Sequence, residues 1–567
     1  MNIKTKLSIL LFAASSILAQ SNIIEDGGNY YFADRLVIKY KNNSDGLMKI
    51  NDNISSKFGI IESRRTFTQI DENSANSREI NKIYTIKFSS PFNPLYIAKE
   101  LANTENIEWV EPCYLYRTTY TPNDPIFNEA NENNFVMLDL IRAQDAWDIN
   151  RGSEDVVIAI IDTGVDWNHP DLEDNIWINL QEIPDNGIDD DGNGFTDDIR
   201  GWDFGGLDGT ADNDPNEDRA DHGTHVAGLA SAVTDNNIGI ASIGFNSKIM
   251  AVKTSQDDIR STDNNALIAY GYEGIVYAAD NGANIINCSW GGYSYSQAAQ
   301  DAIDYAVAKG ALVVASAGNG NRTDKFYPAS YEGVLSVAGT NFVDQRAGWS
   351  NYGTKVDVTS PGVSIYSTWF NDSYAIKQGT SMSAPIVAGL AGLVFDQFPD
   401  FTPLQVGEQI RVNTDNIDGV NSSYTKMLGS GRINALKALS NTNSKSVRIS
   451  SKQIVEIGDG DDIFESGETI RISIELTNYL EPTSNLSVQL TTDDDNLSVI
   501  NSGGTFGALN TLETVGTNPD FFELKINNNA PENLEVNLLV SYSDNNYNDF
   551  EWISILINPT YHIQTTD

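Results

Sequence analysis

The sequence predicts an α/β fold in which a doubly wound, mostly parallel sheet is preceded by a small α+β unit and followed by an antiparallel β-sandwich. Three patterns predict it. Apolar runs alternate with amphipathic helices between about residues 135 and 440, a mixed segment precedes them, and only alternating strands follow. The chain has 567 residues, which at about 150 residues per domain suits three or four folded units.

The first element is the α+β unit over about residues 20–117. Residues 35–40 and 84–88 alternate apolar and polar side chains, as half-buried strands do, and residues 94–103 have helical spacing. A polar segment rich in Pro and Asn, residues 118–132, predicts an exposed linker at the start of the next domain.

The second element is the α/β domain, residues 118–440. Residues 156–161 and 311–316 are nearly continuous apolar runs, which are typical of strands buried on both faces of a parallel sheet. Between such runs, residues 299–306 carry apolar side chains at the spacing of one helix face. This alternation of strand and helix predicts the doubly wound sheet.

The third element is the sandwich, residues 449–567. Residues 470–476 alternate strictly, and residues 522–526 and 534–538 do the same. Gly, Asn and Asp turns separate these strands. Period-2 alternation with such turns indicates a small antiparallel β-sandwich.

Composition excludes several classes of protein. With 36 Lys+Arg against 78 Asp+Glu the net charge is −42, and a field of that sign repels phosphate backbones, so we expect no nucleic-acid partner. Cys113 and Cys288 are the only cysteines. Two cysteines exclude a disulfide framework, and neither has neighbours at a metal-binding spacing. Both are predicted to be unpaired.

The first 19 residues predict a signal peptide. Lys4 and Lys6 give a basic start, residues 7–18 are mostly apolar, and small residues lie near Ala19. The apolar run is far shorter than the roughly 20 residues that span a bilayer. The sequence therefore predicts a protein without a membrane span that is exported to the extracellular space or cell surface.

Three short motifs in the α/β domain carry candidate catalytic residues. Asp162 begins Asp-Thr-Gly directly after the strand 156–161, His222 begins His-Gly-Thr-His-Val-Ala-Gly, and Ser381 lies in Gly-Thr-Ser-Met-Ser-Ala-Pro before a predicted helix, 386–395. A serine hydroxyl needs an adjacent base, and a buried carboxylate orients that base and stabilises the imidazolium. The order Asp, His, Ser is one of the few known orders of such a triad.

These motifs closely resemble the subtilisin family of serine proteases over about residues 120–440. The resemblance implies that Ser381 is the nucleophile, His222 the general base and then general acid, and Asp162 its orienting partner. It also implies a serine endopeptidase that hydrolyses peptide bonds through an acyl-enzyme. The competing α/β-hydrolase order places the serine first, in a G-x-S-x-G motif that Ser381 lacks.

The resemblance assigns further residues around the triad. Asn319 and the backbone N–H of Ser381 would donate to the oxyanion. Phe326 is expected either at the floor of the primary pocket or in ordinary packing, and the pocket's preference stays open. Peptide substrates would bind as an added strand, along two walls formed by Ser289, Trp290, Gly291, Ala315, Ser316, Ala317 and Gly318.

An acidic stretch with few basic residues, 154–221, predicts a calcium site. Oxygen ligands recur there at every second position, and the expected ligands are Asp189, Asp191, Asn193 and Asp197. The loop has Arg200 where an EF-hand has its last glutamate, so the alternative is a solvated acidic insertion.

A second calcium site follows from the resemblance to thermitase-like members of the family. Its implied ligands are the side chains of Asp124, Asp171 and Asn236 and the carbonyls of Val233, Ile238 and Ile240. Calcium bound only to the native state would stabilise a chain without disulfides. The acidic turn 459–468 at the start of the sandwich is a further candidate for calcium.

Residues 20–117 resemble the inhibitory propeptide of the family, by position and by the segment 106–112. The resemblance implies an intramolecular inhibitor and self-cleavage between about Arg117 and Thr121.

The other histidines are expected to be structural or exposed. His225 and His169 are assigned structural roles, and His562 lies in the polar tail. A metal pair of His222 with His225 would lack a third ligand.

Two other functions compete with a protease. One is a catalytically silent surface protein whose sandwich binds a partner, and the other is an esterase that uses the same triad. The peptide-like cleft edge at residues 289–292 favours a protease over an esterase.

Overall fold

The computed structural model describes residues 23–26, 29–41, 52–68, 77–115, 120–128, 133–217, 219, 222–262 and 264–560. The chain divides into two compact units, Met1–Thr118 and Thr119–Asp567, which are described separately. The predicted signal peptide, Arg117 at the predicted cleavage segment and His562 lie outside the described residues. Within those residues, no helix has the length and apolar character needed to cross a bilayer.

The N-terminal unit is an α+β fold around one antiparallel sheet of order β1-β2-β4-β3, in which β5 also pairs with β2. The alternation predicted for residues 84–88 is observed, since Tyr84, Ile86 and Phe88 are buried and pack with Ile97 of helix α3. The elements are β1 Ile23–Asp26, β2 Asn29–Tyr40, α1 Asp52–Phe58, β3 Ile60–Arg65, α2 Ser77–Ile80, β4 Ile83–Phe88, α3 Pro94–Ala102 and β5 Ile107–Leu115.

The second unit is built on a seven-stranded sheet of order β14-β13-β12-β11-β6-β8-β7, in which every pair is parallel. Its strands are β6 Val157–Asp162, β7 Gly201–Asp203, β8 Lys248–Lys253, β11 Ile285–Cys288, β12 Leu312–Ser316, β13 Val334–Thr340 and β14 Val358–Pro361. Two antiparallel pairs lie outside it, β9 Ser255–Arg260 with β10 Ala266–Ile268 and β15 Ile365–Trp369 with β16 Ser373–Lys377.

Helices cover both faces of this sheet, which confirms the predicted doubly wound α/β fold. All residues of β6 are buried, and alternate side chains point to opposite cores: Ile158 and Ile160 to one, Ala159 and Ile161 to the other. The first core includes α4 Asn133–Leu140, α5 Ala143–Trp147, α6 Gly223–Ser231, α9 Thr380–Gln397, α10 Pro403–Val412 and α11 Ala435–Ser440, and the second includes α7 Gly271–Asp280 and α8 Gln297–Lys309.

The strand order reverses beside β6. The chain first builds β7 and β8 on one side of β6 and then places β11 on the other side. In open parallel sheets, ligands bind in the crevice outside the carboxyl ends of the strands at such a reversal. The carboxyl ends of β6 and β11 are therefore where a site is expected.

The C-terminal part is the predicted antiparallel β-sandwich. Its eight strands have the order β17-β18-β22-β20-β19-β23-β24, with β21 also paired to β18. Strand β20 pairs with β22 through residues 497–502 and with β19 through residues 503–505, so it passes between the two layers. The strands are β17 Val447–Ile457, β18 Thr469–Asn478, β19 Ser487–Thr491, β20 Leu497–Thr505, β21 Thr514–Gly516, β22 Phe522–Ile526, β23 Leu534–Asp544 and β24 Tyr547–Ile557.

A buried ion pair joins the sandwich to the α/β domain. Arg411 of α10 donates to both carboxylate oxygens of Asp549 in β24, at 2.8 and 2.5 Å, and their side chains are only 4% and 7% exposed. Glu408 also accepts from Arg411, at 2.7 Å, and from Ser446. Breaking a buried pair leaves an uncompensated charge, so this contact fixes the sandwich to α10.

Candidate active site

The site begins at the carboxyl end of β6, where Asp162 is 1% exposed. Its Oδ1 accepts from the backbone N–H of Thr163 at 2.8 Å and lies 2.8 Å from Nδ1 of His222. An ionised carboxylate only accepts, so the proton of a neutral imidazole here is on Nδ1. The lone pair of the imidazole is then on Nε2, the atom that can act as a base.

A close backbone approach brings His222 to this carboxylate. His222 precedes helix α6, and Gly223 packs directly on the turn after β6. A Cβ on Gly223 would lie 2.0 Å from the carbonyl oxygen of Gly164. Position 223 therefore requires a glycine, because any side chain there would clash with the backbone of Gly164.

Glu217 is a buried carboxylate in this site that the sequence analysis missed. Its Oε1 accepts from the backbone N–H of His222 at 2.6 Å and from the hydroxyl of Thr163 at 2.8 Å, and its Oε2 accepts from the N–H of Thr224 at 3.2 Å. Burial raises the pKa of Glu217. Glu217 thus caps α6 and ties it to the residue after Asp162. Acids before a helix are favourable, but Asp218 and Asp221 lie nearer to α6 in the sequence, so this signal does not single out Glu217.

Ser381 lies in the first turn of α9, which starts at Thr380 rather than at the predicted residue 386. Pro385 has no N–H to donate to the carbonyl of Ser381. Ser289, just after β11, replaces that donor: its Oγ donates to the Ser381 carbonyl at 2.9 Å, and the Ser381 hydroxyl donates to the Ser289 carbonyl at 2.9 Å. This reciprocal pair explains how the helix continues through Pro385.

Asn319 is oriented by the start of the same helix. Its Oδ1 accepts from the backbone N–H and the hydroxyl of Thr380, at 2.9 and 3.0 Å. A backbone N–H can only donate, so the amide oxygen faces Thr380 and the NH₂ group faces away. A Cβ on Gly379 would be 3.4 Å from Asn319 Nδ2 and 3.7 Å from the Ser381 backbone nitrogen. Both nitrogens therefore border one gap above Gly379.

The two predicted walls of the substrate cleft follow β11 and β12. Ser289 is buried, and Trp290 donates from its indole N–H to the carbonyl of Ile161 at 2.8 Å. Of the second wall, Ala315 and Ser316 are buried inside β12. The carbonyls of Ala317 and Gly318 both accept from Asn351, at 2.8 Å.

The ring of Phe326 lies between these walls. A Cβ on Gly291 of the first wall would be 2.4 Å from Phe326 Cε1, and a Cβ on Gly318 of the second would be 3.0 Å from Cδ1 and Cγ. The ring also packs edge-on against Tyr293, with 5.1 Å between centroids. Phe326 therefore fills space that two glycines leave open.

Two other described histidines, His225 and His169, contact backbone carbonyls. His225 is fully buried, its Nε2 lies 3.1 Å from the carbonyl oxygen of Ala375, and burial lowers its pKa to about 3. His169 lies 3.0 Å from the carbonyl oxygen of Ser373 through its Nε2. Both side chains are held by backbone carbonyls and are structural.

Both cysteines are free, which confirms that they are unpaired. Cys288 is fully buried at the end of β11, and burial raises its pKa. A protonated, buried thiol is unreactive, so Cys288 supplies packing and no chemistry to the site.

The acidic insertion brings together two of its predicted ligands and one residue that the sequence analysis missed. Glu182 is buried, and its Oε1 accepts from the N–H of Asp190 at 2.8 Å. One carboxylate oxygen each from Glu182, Asp189 and Asp191 lie within 4.8 Å of one another. These three acids could hold one cation.

The other two predicted ligands of this loop, Asn193 and Asp197, accept hydrogen bonds from backbone N–H groups within it. The Asn193 Oδ1 accepts from the N–H of Phe195 at 2.8 Å, and the Asp197 Oδ2 accepts from the N–H of Gly187 at 2.8 Å. These two side chains therefore support turns of the loop.

The residues of the second predicted calcium site do meet. Asp124 and Asp171 are fully buried, and burial raises the pKa of Asp171 to about 6. Asp124 accepts from the N–H of Asp235 at 2.9 Å, and Asp171 accepts from the Asn236 side chain and the N–H of Ile240 at 2.9 and 3.0 Å. The implied carbonyl ligands lie on the same loop: Val233, Ile238 and Ile240.

Comparisons with known proteins agree with this geometry. The subtilase family profile matches residues 153–432. The chain is 36% identical over 368 residues to the thermophilic serine proteinase of Bacillus sp. (strain AK1), covering 64% of this chain and 80% of that protein.

Two further relatives are similar over most of their own length. Thermitase of Thermoactinomyces vulgaris is 38% identical over 320 residues, 56% of this chain and 99% of thermitase. Subtilisin BL of Lederbergia lenta is 32% identical over 288 residues, 50% of this chain and 92% of that protein. The chain therefore belongs to the subtilase family of serine-type endopeptidases.

Proposed function

We propose that the chain is a secreted, self-maturing and calcium-stabilised endopeptidase that cleaves peptide bonds through Asp162, His222 and Ser381. One observation carries the catalytic part: the Asp162 carboxylate lies 2.8 Å from Nδ1 of His222 at the carboxyl edge of the sheet. Ser381 reaches the same edge through its two hydrogen bonds with Ser289.

The first half of the reaction forms an acyl-enzyme. The Ser381 hydroxyl turns from the Ser289 carbonyl to His222, whose Nε2 takes its proton while Oγ bonds to the substrate carbonyl carbon. The carbonyl π electrons move to the oxygen, and Asp162 stabilises the imidazolium. The Asn319 amide and the Ser381 N–H bind the oxyanion. The C–N bond then breaks as His222 gives its proton to the leaving amine.

The second half releases the acid product. Water enters in place of the amine, His222 takes a proton from it, and the hydroxide bonds to the acyl carbon. The bond to Ser381 Oγ breaks, and Oγ regains the proton from His222. The macrodipole of α9, whose amino end contains Ser381, favours the negative oxyanion in both halves.

The proposed precursor has four parts: a signal peptide, residues 1–19; an inhibitory propeptide, 20–117; the peptidase domain, 118–440; and the sandwich, 449–567. The basic and apolar pattern of the first residues supports secretion. The separation of Met1–Thr118 as its own compact unit supports a propeptide that can be released.

Calcium would bind at two places in the peptidase domain. Asp124 and Asp171 are fully buried, and neither forms an ion pair with a described residue. Buried carboxylates without a counter-charge are costly, and a cation removes that cost. In the acidic insertion, Glu182, Asp189 and Asp191 offer the hard oxygen ligands that calcium prefers.

The position of Phe326 supports a preference for small side chains at the residue before the cleaved bond. Its ring occupies the space between Gly291 and Gly318, one on each wall of the primary pocket. A large substrate side chain would have to displace the ring, whereas alanine would not.

Replacing Ser381 tests the catalytic assignment. We expect Ser381→Ala to lower kcat by about 10⁶-fold, the loss that removing the nucleophile causes in subtilisin, because no other hydroxyl would take its place. The variant should remain uncleaved as purified and should resist an organophosphonate probe, yet be processed when active enzyme is added. Ser383→Ala, two residues further along α9, is the control and should still label.

Self-processing of pure Ser381→Ala would contradict self-maturation, and an unlabelled wild-type enzyme after maturation would favour a silent binding protein. Faster turnover of simple esters with no peptide cleavage would favour an esterase.

Asn319 tests the oxyanion assignment. Asn319→Asp keeps the acceptor for Thr380 and replaces the donating NH₂, so a fold that depends on Thr380 is preserved. We expect kcat to fall by at least about 10²–10³-fold, the effect of losing such a donor in subtilisin, where it costs about 2.7–4 kcal/mol, because the new carboxylate also repels the oxyanion. KM should change little. Stopped-flow or steady-state peptide hydrolysis measures this, and an unchanged kcat would exclude Asn319 from the oxyanion site.

Calcium removal should destabilise the peptidase domain. In a Ser381→Ala background, calcium at about 100 times its Kd should add about 2.7 kcal/mol to the free energy of unfolding, measured by denaturant titration with calcium or chelator. Asp171→Asn should lose most of this gain, and Asp174→Asn, an exposed acid nearby, should keep it. Equal gains in both variants would remove calcium from the Asp171 site.

Phe326→Ala tests the pocket. We expect the ratio of kcat/KM for peptides with Phe over Ala before the cleaved bond to rise about 10- to 100-fold, since the vacated space accepts a large group worth about 1–3 kcal/mol. The ratio is independent of the folded fraction. Tyr305→Ala, an exposed aromatic on α8, is the control, and an unchanged ratio in Phe326→Ala would place the ring outside the pocket.

A further inference from the structure

Three carboxylates converge where β17 and β18 of the sandwich are joined by an acidic turn, residues 458–468. Glu456 comes from the end of β17, Asp459 from the turn, and Glu468 directly precedes β18. One oxygen of each lies within 4.8 Å of the other two. Two oxygens that ligate one calcium at about 2.4 Å are at most about 4.8 Å apart, so these three can reach one ion.

Glu456 has a buried oxygen without a partner. The residue is 6% exposed, and its Oε2 accepts from the N–H of Gly460 at 3.0 Å. Its Oε1 accepts no hydrogen bond from the described residues. Buried polar atoms without a hydrogen bond are rare, and a bound ion is one explanation for them.

No described basic side chain neutralises the cluster. The ion pairs of the sandwich use other acids, such as Asp544 with Lys445 and Glu523 with Arg471. Three acids in this position are unfavourable without a cation between them.

Gly458 leaves open the space that the cluster faces. A Cβ on Gly458 would lie 2.0 Å from Glu468 Oε1 and 2.2 Å from Glu456 Oε1. Gly458 is absent from the glycines with positive φ, so the backbone does not require a glycine there. The residue is instead suited to leave room between two carboxylate oxygens.

We propose that Glu456, Asp459 and Glu468 bind one calcium ion that closes the turn between β17 and β18. Calcium accepts irregular sets of oxygen ligands, whereas magnesium requires near-octahedral geometry and retains its waters. The site does not depend on the proposed catalytic function. It would stabilise the sandwich because the ligands come together only in the folded chain.

Counting bound calcium tests the site in the full chain, in a Ser381→Ala background that cannot digest itself. The protein is stripped with chelator, dialysed against calcium, and its calcium content is measured by plasma mass spectrometry. Glu456→Gln should bind one ion fewer than the parent. Glu475→Gln, an exposed acid on β18, should bind as many as the parent. An equal count in the parent and Glu456→Gln would overturn the proposal.

Melting experiments separate a lost ligand from a damaged fold. In chelator, Glu456→Gln should melt at or above the temperature of the parent, because it removes one of three repelling charges. In calcium it should melt below the parent. Gly458→Ala changes no charge and should lose the same single ion. If Glu456→Gln melts lower by an equal amount in chelator and in calcium, its role is structural and the proposal fails.

Discussion

The parallel pairing of β6 with β11 is the constraint on which the geometry of the proposed catalytic site depends. The pairing places Ile160 opposite Asn287, so the strands end side by side. Asp162 ends one strand and holds His222, and Ser289 follows the other and holds Ser381. Every residue of both strands is buried, and a slip of one residue would move each side chain to the opposite face. The register of a buried sheet thus sets the positions of residues far apart in the chain.

Much of this arrangement could be predicted from local pattern. Continuous apolar runs locate β6 and β12, and strict alternation locates β18 and β22, since a strand's burial determines which positions must be apolar. The motifs that begin at Asp162 and His222 carry glycines where two backbones approach closely. Gly223 against Gly164 is one such place. A side chain does not fit at Gly223, so the glycine of the motif follows from the packing of the two backbones.

The buried acids around the site and the start of α9 could not be predicted, because they depend on contacts between segments that are distant in the sequence. Glu217 and Glu182 lie among many acids, and only the folded chain selects which of these acids become buried. The start of α9 that the sequence predicts is too late because Pro385 suggests a helix beginning next to it. The donor that satisfies the Ser381 carbonyl comes from Ser289, on a different strand, and no local propensity contains that information.

The ion pair of Arg411 with Asp549 determines how firmly the sandwich is attached to the α/β domain. The guanidinium is shielded from water and held by both oxygens of its partner, so salt screens it weakly. The sandwich is therefore held against helix α10 by a contact that persists in salt. A ligand bound to the sandwich would therefore stay at a fixed distance and angle from the carboxyl edge of the parallel sheet.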